Sequence, residues 1–139
     1  MKKKLLPAFF AIIASVLLAS CAKNVPANVT ETLPTGTTLQ SGTFVGSSHS
    51  TSGTVKVIQE AGGKKYLVFE NFSTDNGPNV RVWLSPNNSG SPNEDLGPLK
   101  AVTGNFSYEI SSSVNHTTNN RVLIRCIPFS VLFGYAILQ

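Results

Sequence analysis

From Gly42 to the C-terminus, apolar and polar residues alternate in short runs with a period of two. Successive side chains of a strand point to opposite faces, so this period predicts strands that bury one face. The alternating runs are residues 54–57, 66–72, 80–84, 105–110 and 122–126. The last run, 129–138, is apolar on both faces, which predicts a strand in the centre of the sheet.

The segments between these runs have the composition of turns. Residues 61–63 are Ala-Gly-Gly, and Gly, Pro, Asn and Ser dominate residues 75–78 and 87–92. Glycine supplies positive φ in tight hairpins at little steric cost. No stretch after residue 41 shows a sustained helical period. The sequence therefore predicts an all-β chain, a single antiparallel β-sandwich or barrel-like domain over residues 42–139.

The start of the chain has the features of an export signal. Lys2, Lys3 and Lys4 precede an uncharged apolar run over residues 5–18, which is shorter than the roughly 20 residues that a spanning helix needs. Leu18-Ala19-Ser20-Cys21 then resembles a lipobox, in which the lipid is attached to the cysteine sulfur before cleavage. The sequence predicts a lipoprotein signal peptide over residues 1–20. An ordinary secretory signal followed by a chance cysteine is the alternative.

Lipidation of Cys21 would anchor the mature protein to a membrane without spanning it. Residues 21–41 contain few large apolar side chains and many Thr, Asn and Pro residues, which favours a flexible linker. Ala22 and Lys23 follow the cysteine, and no aspartate does. We therefore expect a bacterial cell-envelope protein that is lipid-anchored at the outer membrane.

The charge and the cysteine content limit the kinds of partner and the disulfides that the sequence allows. The full sequence carries a net charge of +4, which falls to +1 when the three signal lysines are removed. The remaining basic residues are dispersed, so we predict no nucleic-acid partner. Once Cys21 carries lipid, Cys126 is the one thiol left, and an intrachain disulfide is excluded.

From Gly42 onward the sequence resembles the DM13 domain family. The resemblance includes Thr-Asp-Asn-Gly-Pro at 74–78 and Val-Leu-Ile-Arg-Cys at 122–126. The other matching stretches are residues 42–44, His49, 52–55, 67–72, 82–85, 97–100, 104–108, 129–131 and 133–136. They follow one another in the family's order. Only the segment 111–120, which contains three consecutive serines, departs from the pattern.

The resemblance implies a β-rich extracytoplasmic module. In animals such modules accompany haem-binding domains of the DOMON type. It also implies an electron-transfer or thiol-redox role centred on the cysteine that matches Cys126. The sequence itself contains no motif for haem or a metal, so the cofactor is left open.

Cys126 is the main candidate for a redox residue. By alternation it shares a face with Val122 and Ile124, and this face is expected to be core. An inert buried thiol is therefore one interpretation. The other is a reactive thiol near a rim, because Pro128 ends strand pairing or lies at an edge.

His49, in a polar loop, is a candidate cofactor ligand or proton carrier. A loop histidine that bonds nearby backbone is the alternative. His116 lies in the segment that departs from the family pattern, and we expect it to be solvent-exposed. A Cys126–His49 pair would be chemically useful if folding joined the two residues, which the sequence cannot show.

Two further features have competing interpretations. Asp75 and Asn76 could bind a cation through oxygen atoms together with Glu70, but an Asx-type turn is the favoured interpretation and no metal site is predicted. Trp83 could mark an exposed binding surface, or it could pack beneath a loop.

The sequence lacks a Gly-x-Ser-x-Gly elbow, a His-Glu-x-x-His helix, a phosphate-binding loop and a Cys-x-x-Cys pair. This favours a non-enzymatic module. It would be either a redox module that uses Cys126 with a partner in the envelope, or a ligand- or protein-binding β-sandwich in which Cys126 only fills the core.

The lipidation of Cys21 gives a direct test. In Cys21→Ser the sulfur that accepts the lipid is absent, so we expect the protein to leave the membrane fraction and to change in mass. Cell fractionation and mass spectrometry measure both effects. Membrane association at the wild-type mass would contradict the prediction.

Overall fold

The computed structural model describes residues 24–139, so the predicted signal peptide and Cys21 lie outside the described residues. The described chain forms nine strands and no helix. They are β1 (Asn28–Thr30), β2 (Thr37–Gly46), β3 (Thr51–Gln59), β4 (Lys65–Thr74), β5 (Val80–Ser85), β6 (Glu94–Pro98), β7 (Thr103–Ile110), β8 (Arg121–Cys126) and β9 (Val131–Ile137). The all-β prediction is confirmed. Within this part of the chain no helix is long and apolar enough to cross a membrane.

The nine strands form one curled sheet in the order β1-β7-β4-β3-β2-β9-β8-β5-β6, which makes a half-barrel. All neighbouring pairs are antiparallel except β1 and β7, which are parallel. The sheet is therefore mixed rather than strictly antiparallel. Strand β9 lies between β2 and β8, as its apolar character on both faces predicts.

The concave face of the half-barrel is filled by aromatic rings. Phe69 lies at their centre, with ring centroids 5.3 Å from Phe44, 5.2 Å from Phe72 and 5.0 Å from Phe106. These residues come from β2, β4 and β7 and are almost completely buried. Stacked and edge-to-face rings at these separations attract each other in addition to excluding water. The aromatic cluster therefore ties the strands of one half of the sheet together.

The described part of the predicted linker is ordered. Val25 is 7% exposed and belongs to the core, residues 28–30 form β1, and β2 begins at Thr37 rather than near Gly42. Polar composition suggested a flexible chain, but β1 pairs with β7 and the start of β2 pairs with β3, which satisfies much of the backbone of this segment. Glu31 adds to this by binding Lys100 Nζ at 2.7 Å and by accepting a hydrogen bond from the Ser107 amide. The folded domain therefore includes residues N-terminal to the predicted boundary.

His116 is buried rather than solvent-exposed, which corrects the sequence-based prediction. It is 8% exposed, and its Nδ1 lies 2.5 Å from Gln40 Oε1 on β2. The loop that contains it, residues 111–120, also buries Val114, so this serine-rich segment covers the sheet. Burial lowers the pKa of His116, and the nearby positive charge of Lys65 lowers it further.

The loops of the half-barrel divide between its two ends. One end carries the β2–β3, β4–β5 and β8–β9 connections and the entry of the N-terminal segment. The other carries the β3–β4 hairpin, the loop 111–120 and the C-terminus. The hairpin turns at residues 61–63, where the sequence predicts it, and the Glu60 amide donates to the Lys64 carbonyl at 2.9 Å. We call the first of these two ends the pocket end.

The lowered pKa of His116 predicts how its contribution to stability depends on pH. The unfolded chain binds a proton near the usual pKa of 6.5 whereas the folded chain does not, so protonation favours the unfolded state. We expect the free energy of unfolding of the wild type to fall, relative to His116→Gln, as the pH drops below about 6.5. Urea titrations of both proteins between pH 8 and pH 5 measure this. A difference that does not change with pH would contradict the prediction.

Candidate functional site

A depression of about 410 Å³ opens at the pocket end of the half-barrel. We call it the thiol pocket. It is lined by His49, Asn76, Gly77, Pro78, Cys126, Phe129, Val131 and Phe133. Folding thus brings the two predicted site residues, Cys126 and His49, into the wall of one depression, although 77 positions separate them in the sequence. Their chemical roles stay predictions.

Cys126 is the last residue of β8, where the strand reaches the pocket end. It is a free thiol, 2% exposed, with Val80 and Val131 opposite it on the neighbouring strands. Its Sγ donates a hydrogen bond to the Pro78 carbonyl at 3.2 Å. The prediction that Cys126 shares the core face of β8 with Val122 and Ile124 fits this burial. The thiol is therefore both a core residue and part of the pocket wall.

His49 is held at the pocket by a carboxylate and an aromatic ring. Its Nδ1 lies 2.9 Å from Asp75 Oδ2, and its ring lies over Phe133 at a centroid distance of 3.9 Å. The carboxylate can only accept, so Nδ1 donates in this contact and Nε2 has no part in it. The interpretation of His49 as a loop histidine bonded to nearby backbone is not what the structure shows, because its partner is a side chain of another loop.

The two loops that carry His49 and Asp75 are fixed to each other just inside the sheet. Thr51 and Thr74 face each other in the first register position of β3 and β4, and their buried hydroxyls lie 3.0 Å apart. Thr74 also donates to the Ser50 carbonyl. Because each threonine is within two residues of one partner, this pair of hydroxyls positions the imidazole and the carboxylate.

The side chain of Asn76, in the segment 75–77, forms hydrogen bonds with backbone groups of the same protein. The Asn76 Oδ1 accepts from the Gly77 and Val25 amides, and its Nδ2 donates to the Val25 carbonyl at 3.1 Å. Glu70, the other carboxylate considered for a cation, pairs with Lys56 at 2.7 Å. In residues 24–139 no three His, Cys, Asp or Glu side chains are grouped so that they could hold a metal ion.

The pocket floor requires a glycine at position 77. A Cβ atom at this position would lie 2.8 Å from Phe133 Cζ and 3.3 Å from Val80 Cγ2. Those distances are shorter than van der Waals contact, so any side chain would push Phe133 out of place. Since Phe133 also supports the His49 ring, this glycine preserves the arrangement of the imidazole.

The β8–β9 turn, residues 127–130, forms the outer rim of the pocket. Phe129 at its tip is 69% exposed, although the sequence placed it in a central strand. Arg125, which points away from the pocket, donates to the carbonyls of Ser130 at 3.2 Å and Ser89 at 3.1 Å. These two bonds attach the turn to the β5–β6 loop.

Trp83 lies beneath this arrangement and does not form a binding surface. The Arg125 guanidinium is 5.3 Å from its ring, and a Cβ on Gly90 would come within 3.0 Å of the ring. The loop therefore packs closely over the indole. This supports the second of the two interpretations of Trp83 that the sequence left open.

Three features of the site were not predicted from the sequence. The Asp75–His49 pair and the support of His49 by Phe133 arise from segments far apart in the chain. Phe129 was assigned to a strand because it continues an apolar run. Pro128, which cannot donate to a ladder, was the signal that the strand could not begin so early.

Comparison with known families agrees with these residues. A family model described as "Electron transfer DM13" matches residues 43–138, a range that includes every residue of the thiol pocket. No curated protein and no solved structure matches the sequence. Because the family match covers most of the chain and all of its candidate site, the protein belongs to the DM13 family.

Proposed function

We propose that this protein is an electron-transfer domain of the cell envelope, held at a membrane by lipid on Cys21, in which Cys126 is the redox group. One observation carries the proposal: the thiol and the His49 imidazole line one depression. The family match supports an electron-transfer role in general. The lipobox supports the membrane anchor.

The thiol chemistry that suits this pocket is exchange with a disulfide. The Cys126 thiolate attacks one sulfur of a partner's disulfide, a mixed disulfide forms, and the partner's other sulfur leaves as a thiolate that takes up a proton. Completion requires a thiol from a second molecule, because the mature chain has no other cysteine. Its thiolate attacks Cys126 Sγ, the first partner's sulfur leaves and takes up a proton, and Cys126 stays in a disulfide with the donor. The Cys126 thiol and the donor thiol thus supply the two electrons that reduce the first partner's disulfide.

His49 is the proton acceptor in this proposal. Exchange needs the thiolate, so the Cys126 proton must leave when the bond to the Pro78 carbonyl opens. The imidazole shares the pocket with the thiol and is oriented by Asp75 at 2.9 Å. The carboxylate also stabilises the positive charge that the ring gains when it takes the proton.

A haem bound in the thiol pocket is the alternative redox group to the Cys126 thiol. The thiol pocket contains two side chains of the kinds that ligate haem iron, a thiol and an imidazole. His49 is the better placed of the two, since its Nδ1 is already bonded to a carboxylate, which is the usual outer partner of a ligating histidine. The group would supply a one-electron carrier, and its absorbance would reveal it.

A binding module is the competing function. Phe129 is largely exposed at the rim of a mostly apolar pocket, and concave sites lined by apolar and aromatic side chains are typical of ligand binding. In this case Cys126 would be an inert part of the core.

Reaction with the aromatic disulfide DTNB distinguishes these functions. We expect the native, lipidated protein in detergent to release one equivalent of aromatic thiolate, more slowly than the urea-unfolded chain because Cys126 is buried. Cys126→Ser should release none. Release from the unfolded chain alone, in a protein without haem absorbance, would contradict the redox proposal and favour the binding module.

The role of His49 predicts a slower exchange in His49→Gln. General-base assistance typically contributes 10²-fold or more, so we expect the DTNB rate near neutral pH to fall by roughly 10²-fold. His116→Gln is the matched control, since that histidine lies at the other end of the sheet, and its rate should equal that of the wild type. Circular dichroism verifies that both variants fold. Equal rates in all three proteins would exclude His49 from the reaction.

A further inference from the structure

The N-terminal segment enters the domain at the wall of the thiol pocket. Asn24 forms an isolated bridge with Pro78, and the Val25 amide and carbonyl both bond to the Asn76 side chain at 3.1 Å. Pro78 and Asn76 line the pocket, and Pro78 also accepts the Cys126 hydrogen bond. The chain is therefore fixed to the pocket from its first described residues.

Cys21 cannot be far from this point. It precedes Asn24 by three residues, and three residues span at most about 11 Å even when fully extended. If Cys21 carries the lipid, as the proposed function holds, the pocket end must stay within this distance of the membrane surface. A long linker that would let the domain rotate freely is excluded, because residues from Asn24 onward are paired.

The side chain that protrudes from this end is suited to a lipid surface. Phe129 is the most exposed of the large apolar residues in the described chain, at 69%, and its neighbours Pro128 and Ser130 are exposed and uncharged. It lies at the tip of a turn whose base is held by Arg125. Apolar and aromatic side chains at such positions bind in the interfacial region of a bilayer.

We propose that the pocket end docks on the bilayer to which Cys21 is anchored, with Phe129 inserted among the headgroups and the mouth of the thiol pocket facing the membrane. The occupant of the apolar rim is thus the lipid surface itself. The ionic groups at this end are His49 paired with Asp75, Arg81 paired with Asp95 at 2.7 Å, and Arg125, which is in register with Arg81 and bonded to turn carbonyls. Docking should therefore not require anionic lipid.

Tryptophan fluorescence can measure this orientation, because Trp83 is the only native tryptophan. In a Trp83→Phe background, Phe129→Trp places the probe at the rim. Leu39→Trp is the matched control, as it also replaces an exposed apolar residue but lies seven residues from Gly46 on β2, roughly 23 Å from the pocket end. Both lipidated proteins are reconstituted into phosphatidylcholine vesicles with acyl chains brominated near the headgroup.

We expect the bromolipid to remove most of the emission of Phe129→Trp, with a blue shift, and to leave Leu39→Trp almost unchanged. Added phosphatidylglycerol should not alter either result. Equal quenching of both probes, or of neither, would overturn the proposal. A blue shift of Phe129→Trp without quenching would show that a second copy of the chain covers the rim, and would overturn it too.

Flotation of the same vesicles separates this inference from the proposal on which it rests. Protein that does not float shows that the anchor on Cys21 is wrong, and the docking proposal then fails with it. Protein that floats without quenching at position 129 refutes only the docking. Neither readout involves the thiol, so the redox role of Cys126 is decided separately by its reaction with DTNB.

Discussion

The exchange of hydrogen bonds between the Asn76 side chain and the Val25 backbone is the contact on which the candidate site depends. An amide side chain can donate and accept in one plane, as a neighbouring strand does, so it binds the N-terminal segment without a strand of its own. The same side chain accepts from the Gly77 amide and so sets the turn that forms the pocket floor. Three consecutive residues thus bind the entering chain, form the pocket floor and accept the Cys126 hydrogen bond: Asn76, Gly77 and Pro78.

Cys126 is both a core residue and a residue at the edge of a loop, two placements that the sequence analysis treated as alternatives. Alternation along β8 places it with the core residues Val122 and Ile124, whereas its position at the end of the strand places it beside a loop. Both are found in the structure, because Cys126 occupies the last core position of β8 and also lines the depression at the end of the sheet. The β8–β9 turn, which carries Phe129, therefore lies beside the thiol at the mouth of the depression.

The sequence predicted the features that depend on local pattern. The period of two located most of the strands, the Gly-Gly turn located the β3–β4 hairpin, and the apolar run 129–138 located the central strand β9. It also assigned Cys126 to the correct face. Each of these follows from neighbours in the chain, where side-chain alternation and turn geometry dominate.

The sequence could not predict contacts whose partners are distant in the chain. Residues 24–31 look like a linker because their order comes from β7 and Asn76, more than 50 positions away. His116 looks exposed because the segment around it is polar, but the Gln40 side chain forms a hydrogen bond with its ring inside the fold. The His49–Asp75 pair likewise depends on the register of β3 and β4.

Ordering of the N-terminal segment changes what the proposed anchor on Cys21 would do. A flexible linker would only keep the domain near its membrane, and any face could meet a partner. A segment pinned at Asn76 transmits the position of Cys21 to one end of the sheet, and this is the end where Cys126, His49 and Phe129 meet. If Cys21 carries the lipid and the pocket end docks as proposed, a partner embedded in the membrane would reach the thiol by the shortest path, while a freely diffusing protein would have to approach along the membrane surface. The fold would then link the choice of electron partner to the two residues, Ala22 and Lys23, that separate Cys21 from the first described residue.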